Sequence, residues 1–193
     1  MFGAVAVPGA IAVELWQRHV FDGAFGTLIT IAAVLLVIGS AFWGMLLSTY
    51  AGVLIGVTTI PAWFLHRVLL PIHFGTAGLG SAAGLLELLG FHIRPLWLLG
   101  LIAAATETVL WISVETNRHG VADRALHEAH SGWLIRAGEI LSGPLALILR
   151  VVGFVPGAAI SFLLGALIGR FGWMEAGRVC GNDCEAVFAS QQS

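Results

Sequence analysis

The chain has 193 residues, 58% of them hydrophobic and only 10% charged, with a formal net charge of -2 and a mean hydropathy of +0.93. Soluble domains carry about 25% charged residues. The composition therefore excludes an ordinary soluble domain and predicts an all-α, polytopic transmembrane helix bundle embedded in the lipid bilayer. Its nine basic residues are all Arg and form no tract, so nothing points to nucleic acid. Two cysteines, Cys180 and Cys184, are too few for a disulfide framework or a four-thiolate metal site.

In chain order, residues 2–15 are apolar save for Glu14 but would rise only about 21 Å as a helix, so they predict a partial crossing. Residues 16–23 (WQRHVFDG) predict a water-side turn. The run 24–60 carries no charged side chain and is longer than the minimum span, so it predicts a tilted crossing that continues into an interface. Trp63, His66 and Arg67 read as an interface belt, with Pro61 and Pro71 bracketing a turn.

Residues 71–91 predict the next crossing. Gly80 and Gly84 in it, like Gly52 and Gly56 before it, have the four-residue spacing that favours close helix contact in lipid. Residues 95–114, 133–152 and 154–171 predict three more, making about five full crossings plus the partial first one. Residues 1–172 form the bundle in this reading, and 173–193 a polar C-terminal tail. Alternation gathers Arg67, Arg118, Arg124, Arg170 and Arg178 on one side, with Arg136 close to it. Arg18, Arg94 and Arg150 fall on the other. The positive-inside rule puts the first group in the cytoplasm.

Polar groups at membrane depth are the candidate functional residues, because each is costly unless paired, hydrated or neutralised. Glu107 lies deep in its helix. Glu87 is nearer a helix end, where it could reach the interface. Arg136 and Glu139 are three apart and share a helix face, so they are placed either as an interface ion pair of structural value only or as functional groups. Arg150 has a stem long enough to snorkel. Tyr50 and His73 fall near the same side. A phenol and an imidazole can hydrogen-bond and exchange protons with a redox-active ring.

His119, Asp123 and His127 have helical spacing, followed by Glu128 and His130. The run HEAH lacks the His-Glu-x-x-His spacing of a zinc helix, so a solvated turn is preferred to a metal site. No haem-attachment motif or phosphate loop occurs.

The stretch Ser48-Thr49-Tyr50-Ala51-Gly52, followed by Thr58-Thr59-Ile60-Pro61-Ala62-Trp63, resembles the NrfD family of polysulfide reductase-like membrane subunits. So do Leu70-Pro71, Ala77-Gly78-Leu79-Gly80-Ser81, Ser142-Gly143-Pro144 and Arg170-Phe171-Gly172-Trp173, in that order. The resemblance implies a membrane anchor of a respiratory oxidoreductase complex in the bacterial inner membrane. Such a subunit exchanges electrons between menaquinone or ubiquinone and an iron–sulfur partner subunit. In some cases a molybdopterin catalytic subunit is attached, and the anchor holds no haem or metal of its own. It points to Tyr50 as a quinone contact. Joined to the reading of the polar residues, it leads to the expectation that Tyr50 and His73 bind near the quinone headgroup, and that Glu107 and Glu139 form a proton path in which Arg136 can hold a carboxylate ionised. The iron–sulfur partner would dock on the face formed by 63–71 and 115–131.

The family has eight helices, and the run from Ala24 would match the fourth. The first two would then be absent, as in a truncated or split subunit. The family's docking face also commonly lies outside the cytoplasm, opposite to the Arg count. A proton-coupled transporter and a structural remnant are the alternatives. The residues show no internal repeat of the kind many carriers have.

Overall fold

The computed structural model describes residues 2–17, 24–116, 124–127, 130–183, 185 and 187. Most of these are helical and short turns join the helices, with no strand among the described residues. Helices suit a chain in lipid because they satisfy every backbone donor and acceptor internally. The chain divides into two compact units, 1–48 and 49–193.

The first unit is a helical hairpin. Helix α1 spans Phe2–Gln17 with Pro8 inside it. Helix α2 spans Ala24–Gly56, so its first part belongs here and its last turns to the second unit. Gly9 lies against Leu36, and Gly39 against Val5. As one index rises the other falls, so the two helices run antiparallel.

The second unit contains α3 (Pro61–Leu65), α4 (Leu69–Leu88), α5 (Arg94–Thr116), α6 (Arg124–His127), α7 (His130–Ile140), α8 (Ala146–Val151) and α9 (Val155–Gly181). Leu141–Leu145 forms a π-helical turn that joins α7 to α8. Pro144 within it cannot donate to the ladder, and the wider turn accommodates that loss. The α7–α8 rod is therefore one interrupted element. Four helices, α2, α4, α5 and α9, are long and apolar enough to span a bilayer. The protein is a multi-pass membrane protein.

Packing in this unit follows lipid rather than water. Ala77, Ala103, Ala104, Ala146 and Ala166 are buried around Phe162, whereas Ile102, Val109, Leu164 and Leu167 face outward. Small interior residues let the helices approach closely, and large apolar ones meet the acyl chains. Helix α9 packs closely on α7 and the π-helical turn, where Gly138 lies against the backbone of Gly169 and Gly165 against that of Ser142.

Three boundaries differ from the sequence expectation. Helix α2 stops at Gly56, and Thr58 Oγ1 donates to Ile55 O at 2.8 Å in the turn that follows. Pro71 lies inside the first turn of α4, where a missing N–H costs nothing. Helix α9 continues past residue 171 to Gly181, because Trp173, Ala176 and Cys180 bury there with Phe74 and Ile135. The predicted polar tail is therefore helical through its first part.

Candidate functional site

Within the second unit, α4 and α5 bring His73 and Glu107 together. Their side chains are almost wholly buried, at 5% and 1% exposure. His73 Nδ1 lies 2.7 Å from Glu107 Oε2. Thr76, one turn beyond His73, donates its hydroxyl to the other carboxylate oxygen, Glu107 Oε1. The same hydroxyl stands 2.8 Å from Ile72 O, so a helix carbonyl competes for its single proton.

With Nδ1 committed as donor to the carboxylate, the neutral ring presents Nε2 as an acceptor. That atom is buried without a hydrogen-bond partner. A Cβ at Gly169 would lie 3.9 Å from it and 3.9 Å from Gly138 Cα. The bare glycine thus leaves room beside the imidazole.

Glu139, at 2% exposure, and Arg170 lie close enough to act on His73 electrostatically. The Trp173 indole stands beside the Glu139 carboxylate without meeting hydrogen-bond geometry. Arg170 reaches Phe74 O at 3.4 Å and covers the Phe74 ring at 5.1 Å. One imidazole, two carboxylates and one guanidinium therefore share the interior near the start of α4. Such a cluster can accept, hold and release a proton.

The expected site residues are distributed unevenly. His73, Glu107 and Glu139 converge. Tyr50 does not join them: it is 54% exposed on α2. Arg136 pairs with Glu115, not with Glu139, through Nη2 at 2.9 Å and Nε at 3.3 Å. The α7 helix turns Glu139 inward while Arg136 stays half-exposed, so their shared face is only partial.

Glu87 and Arg150 do not reach outward; they form a buried bidentate bridge at 2.6 and 2.7 Å. Trp63 is not a free belt residue, since its indole N–H donates to Trp173 O at 2.9 Å and its ring covers Gly177.

Sequence reading missed Thr76, Arg170 and Trp173. Thr76 was discoverable, because it lies three residues from His73 on the same helix face. Trp173 was assigned to the polar tail because the last helix was ended at residue 171, and Arg170, placed at that helix end, was counted only as a charge at the membrane boundary. His119, Asp123, Glu128 and Cys184 lie outside the described residues, as does much of the predicted docking face at 115–131. No family model, curated protein or solved structure matches this chain.

Proposed function

We propose that the chain is a membrane anchor subunit of a respiratory oxidoreductase complex in the bacterial cytoplasmic membrane. In this reading it works between the quinone pool and an iron–sulfur partner. The observation that carries the proposal is the buried His73–Glu107 pair with an uncommitted His73 Nε2. The order of NrfD-like motifs supports it.

A quinol supplies two electrons and two protons on oxidation, so its site needs a group that takes up protons. His73 suits that role: Nε2 can accept a proton while Glu107, held by Thr76, balances the imidazolium charge. Glu139 is a second buried carboxylate within electrostatic reach, able to receive a proton in turn. Tyr50, exposed on α2, can offer its hydroxyl to a molecule arriving through the bilayer. In this reading the buried imidazole carries the proton chemistry and the exposed phenol has a contact role.

The test is binding of a fluorescent hydroxyquinoline N-oxide, a quinone-site probe, to the purified chain in nanodiscs. Saturable quenching is expected, weakened about tenfold by His73→Ala, the worth of one charge-assisted hydrogen bond. Absence of saturable binding, or affinity indifferent to His73, overturns the proposal.

A proton-coupled carrier is the second reading. It is favoured by buried carboxylates toward both ends of the bundle, Glu107 and Glu139 in one half and Glu87 in the other. Proton-driven solute flux in liposomes containing the chain alone would select it.

A further inference from the structure

The far end of the second unit carries a polar centre that the quinone reading does not use. Glu87 lies in the last turn of α4. Both its oxygens are taken by Arg150, which also donates to Trp97 O at 3.2 Å. Its charge is therefore spent inside the protein.

Just outside this bridge, Glu87, His92, Ile93, Arg94, Trp97 and Val155 line a half-open cleft of about 220 Å³. Gly90, at φ +96°, turns the chain sharply out of α4 and sets His92 and Arg94 on the rim. His92 Nδ1 lies 2.9 Å from Gly90 O, which leaves Nε2 for another partner. Arg94 is exposed and forms no ion pair among the described residues. The floor is thus neutral as a pair, and the rim is cationic.

We propose that this cleft binds the phosphate of an acidic phospholipid. Arg94 supplies a planar fork that matches two phosphate oxygens, and His92 adds a second donor when protonated. Ile93 and Val155 give the apolar wall that glycerol and acyl carbons need. Trp97 adds an aromatic edge of the kind found at headgroup depth. The surroundings favour a lipid as the source of the phosphate. Leu89, Phe91, Val152 and Phe154, in the two chain turns that carry the lining residues His92 and Val155, are all exposed apolar side chains, as a membrane-facing rim requires. Basic clefts between transmembrane helices hold acidic headgroups by this combination. The inference is independent of the quinone reading, since it uses none of the same side chains.

The experiment is native mass spectrometry of the full chain, delipidated in detergent and then titrated with phosphatidylglycerol, phosphatidylcholine or inorganic phosphate. Phosphatidylglycerol should be retained in preference to phosphatidylcholine. Arg94→Gln should weaken its retention about tenfold, and His92→Gln by a smaller factor. Both residues are exposed, and unchanged helical circular dichroism would show that the fold survives. Equal retention of the two lipids, or retention indifferent to Arg94, overturns the proposal. Displacement of phosphatidylglycerol by millimolar phosphate overturns the lipid assignment and names free phosphate as the occupant.

Discussion

Glu87 and Arg150 occupy the same position in two equivalent helix-ending turns, and they bridge between them. Gly90 N donates to Glu87 O at 3.1 Å and Phe91 N to Leu86 O at 3.1 Å. At the end of α8, Gly153 N donates to Arg150 O at 3.1 Å and Phe154 N to Leu149 O at 2.9 Å. Both are Schellman caps with a glycine in the left-handed region. The side chains are 3% and 2% exposed, and Gly100 of α5 makes room for the guanidinium.

Removing one partner should therefore be worse than removing both. Glu87→Gln or Arg150→Met alone leaves a buried charge and should cost about 3–5 kcal/mol. The double variant should cost less than either single one. Unfolding titrations in mixed detergent micelles give the three values. Additive losses would show that the bridge is not a unit.

The two caps make a second, separable prediction. A Cβ at Gly90 or Gly153 would meet nothing within 4 Å, yet φ is +96° and +90°. Gly90→Ala and Gly153→Ala should each cost about 1 kcal/mol from backbone strain alone. The same unfolding assay checks this, and a neutral result would mean the turns relax.

Gly138 and Gly169 face one another across α7 and α9 but should respond differently to alanine. A Cβ at Gly138 would collide with the backbone of Gly169, which cannot move aside without shifting a helix. A Cβ at Gly169 would meet only ordinary contacts, at 3.9 Å. Gly138→Ala should destabilise by at least the roughly 1–3 kcal/mol of an overpacked core, and Gly169→Ala by much less. Thermal melts of the two purified variants would decide it, and equal losses would contradict the packing described.

His73 and Glu107 should couple strongly. Glu107→Gln keeps the shape but removes the charge facing the imidazole, and His73→Gln removes the imidazole itself. In the probe-binding assay each single variant should lose most of what the double variant loses, because one pair supplies the effect. Fully additive losses would separate the two residues.

Much of this protein was legible before folding was considered. The charge-free run from Ala24, the apolar segments after Pro71 and the isolated acidic residues announced a helical membrane bundle with costly buried polar groups. The deep placement of Glu107 followed from counting residues along its helix. The resemblance to the NrfD family rested on motif order and pointed to Tyr50; His73 was singled out as an imidazole at membrane depth, and the fold brings it to Glu107.

What one-dimensional spacing could not decide was which polar groups meet. Arg136 and Glu139 share a nominal helix face, yet one pairs with Glu115 and the other turns into the interior. Glu87 and Arg150 are far apart in sequence, and only the crossing of α4, α5 and α8 joins them. Local periodicity is set by the helix itself, so the chain alone determined the elements and their burial in lipid. Partner choice depends on helix rotation and depth, which close glycine contacts between α7 and α9 and among their neighbours set in three dimensions.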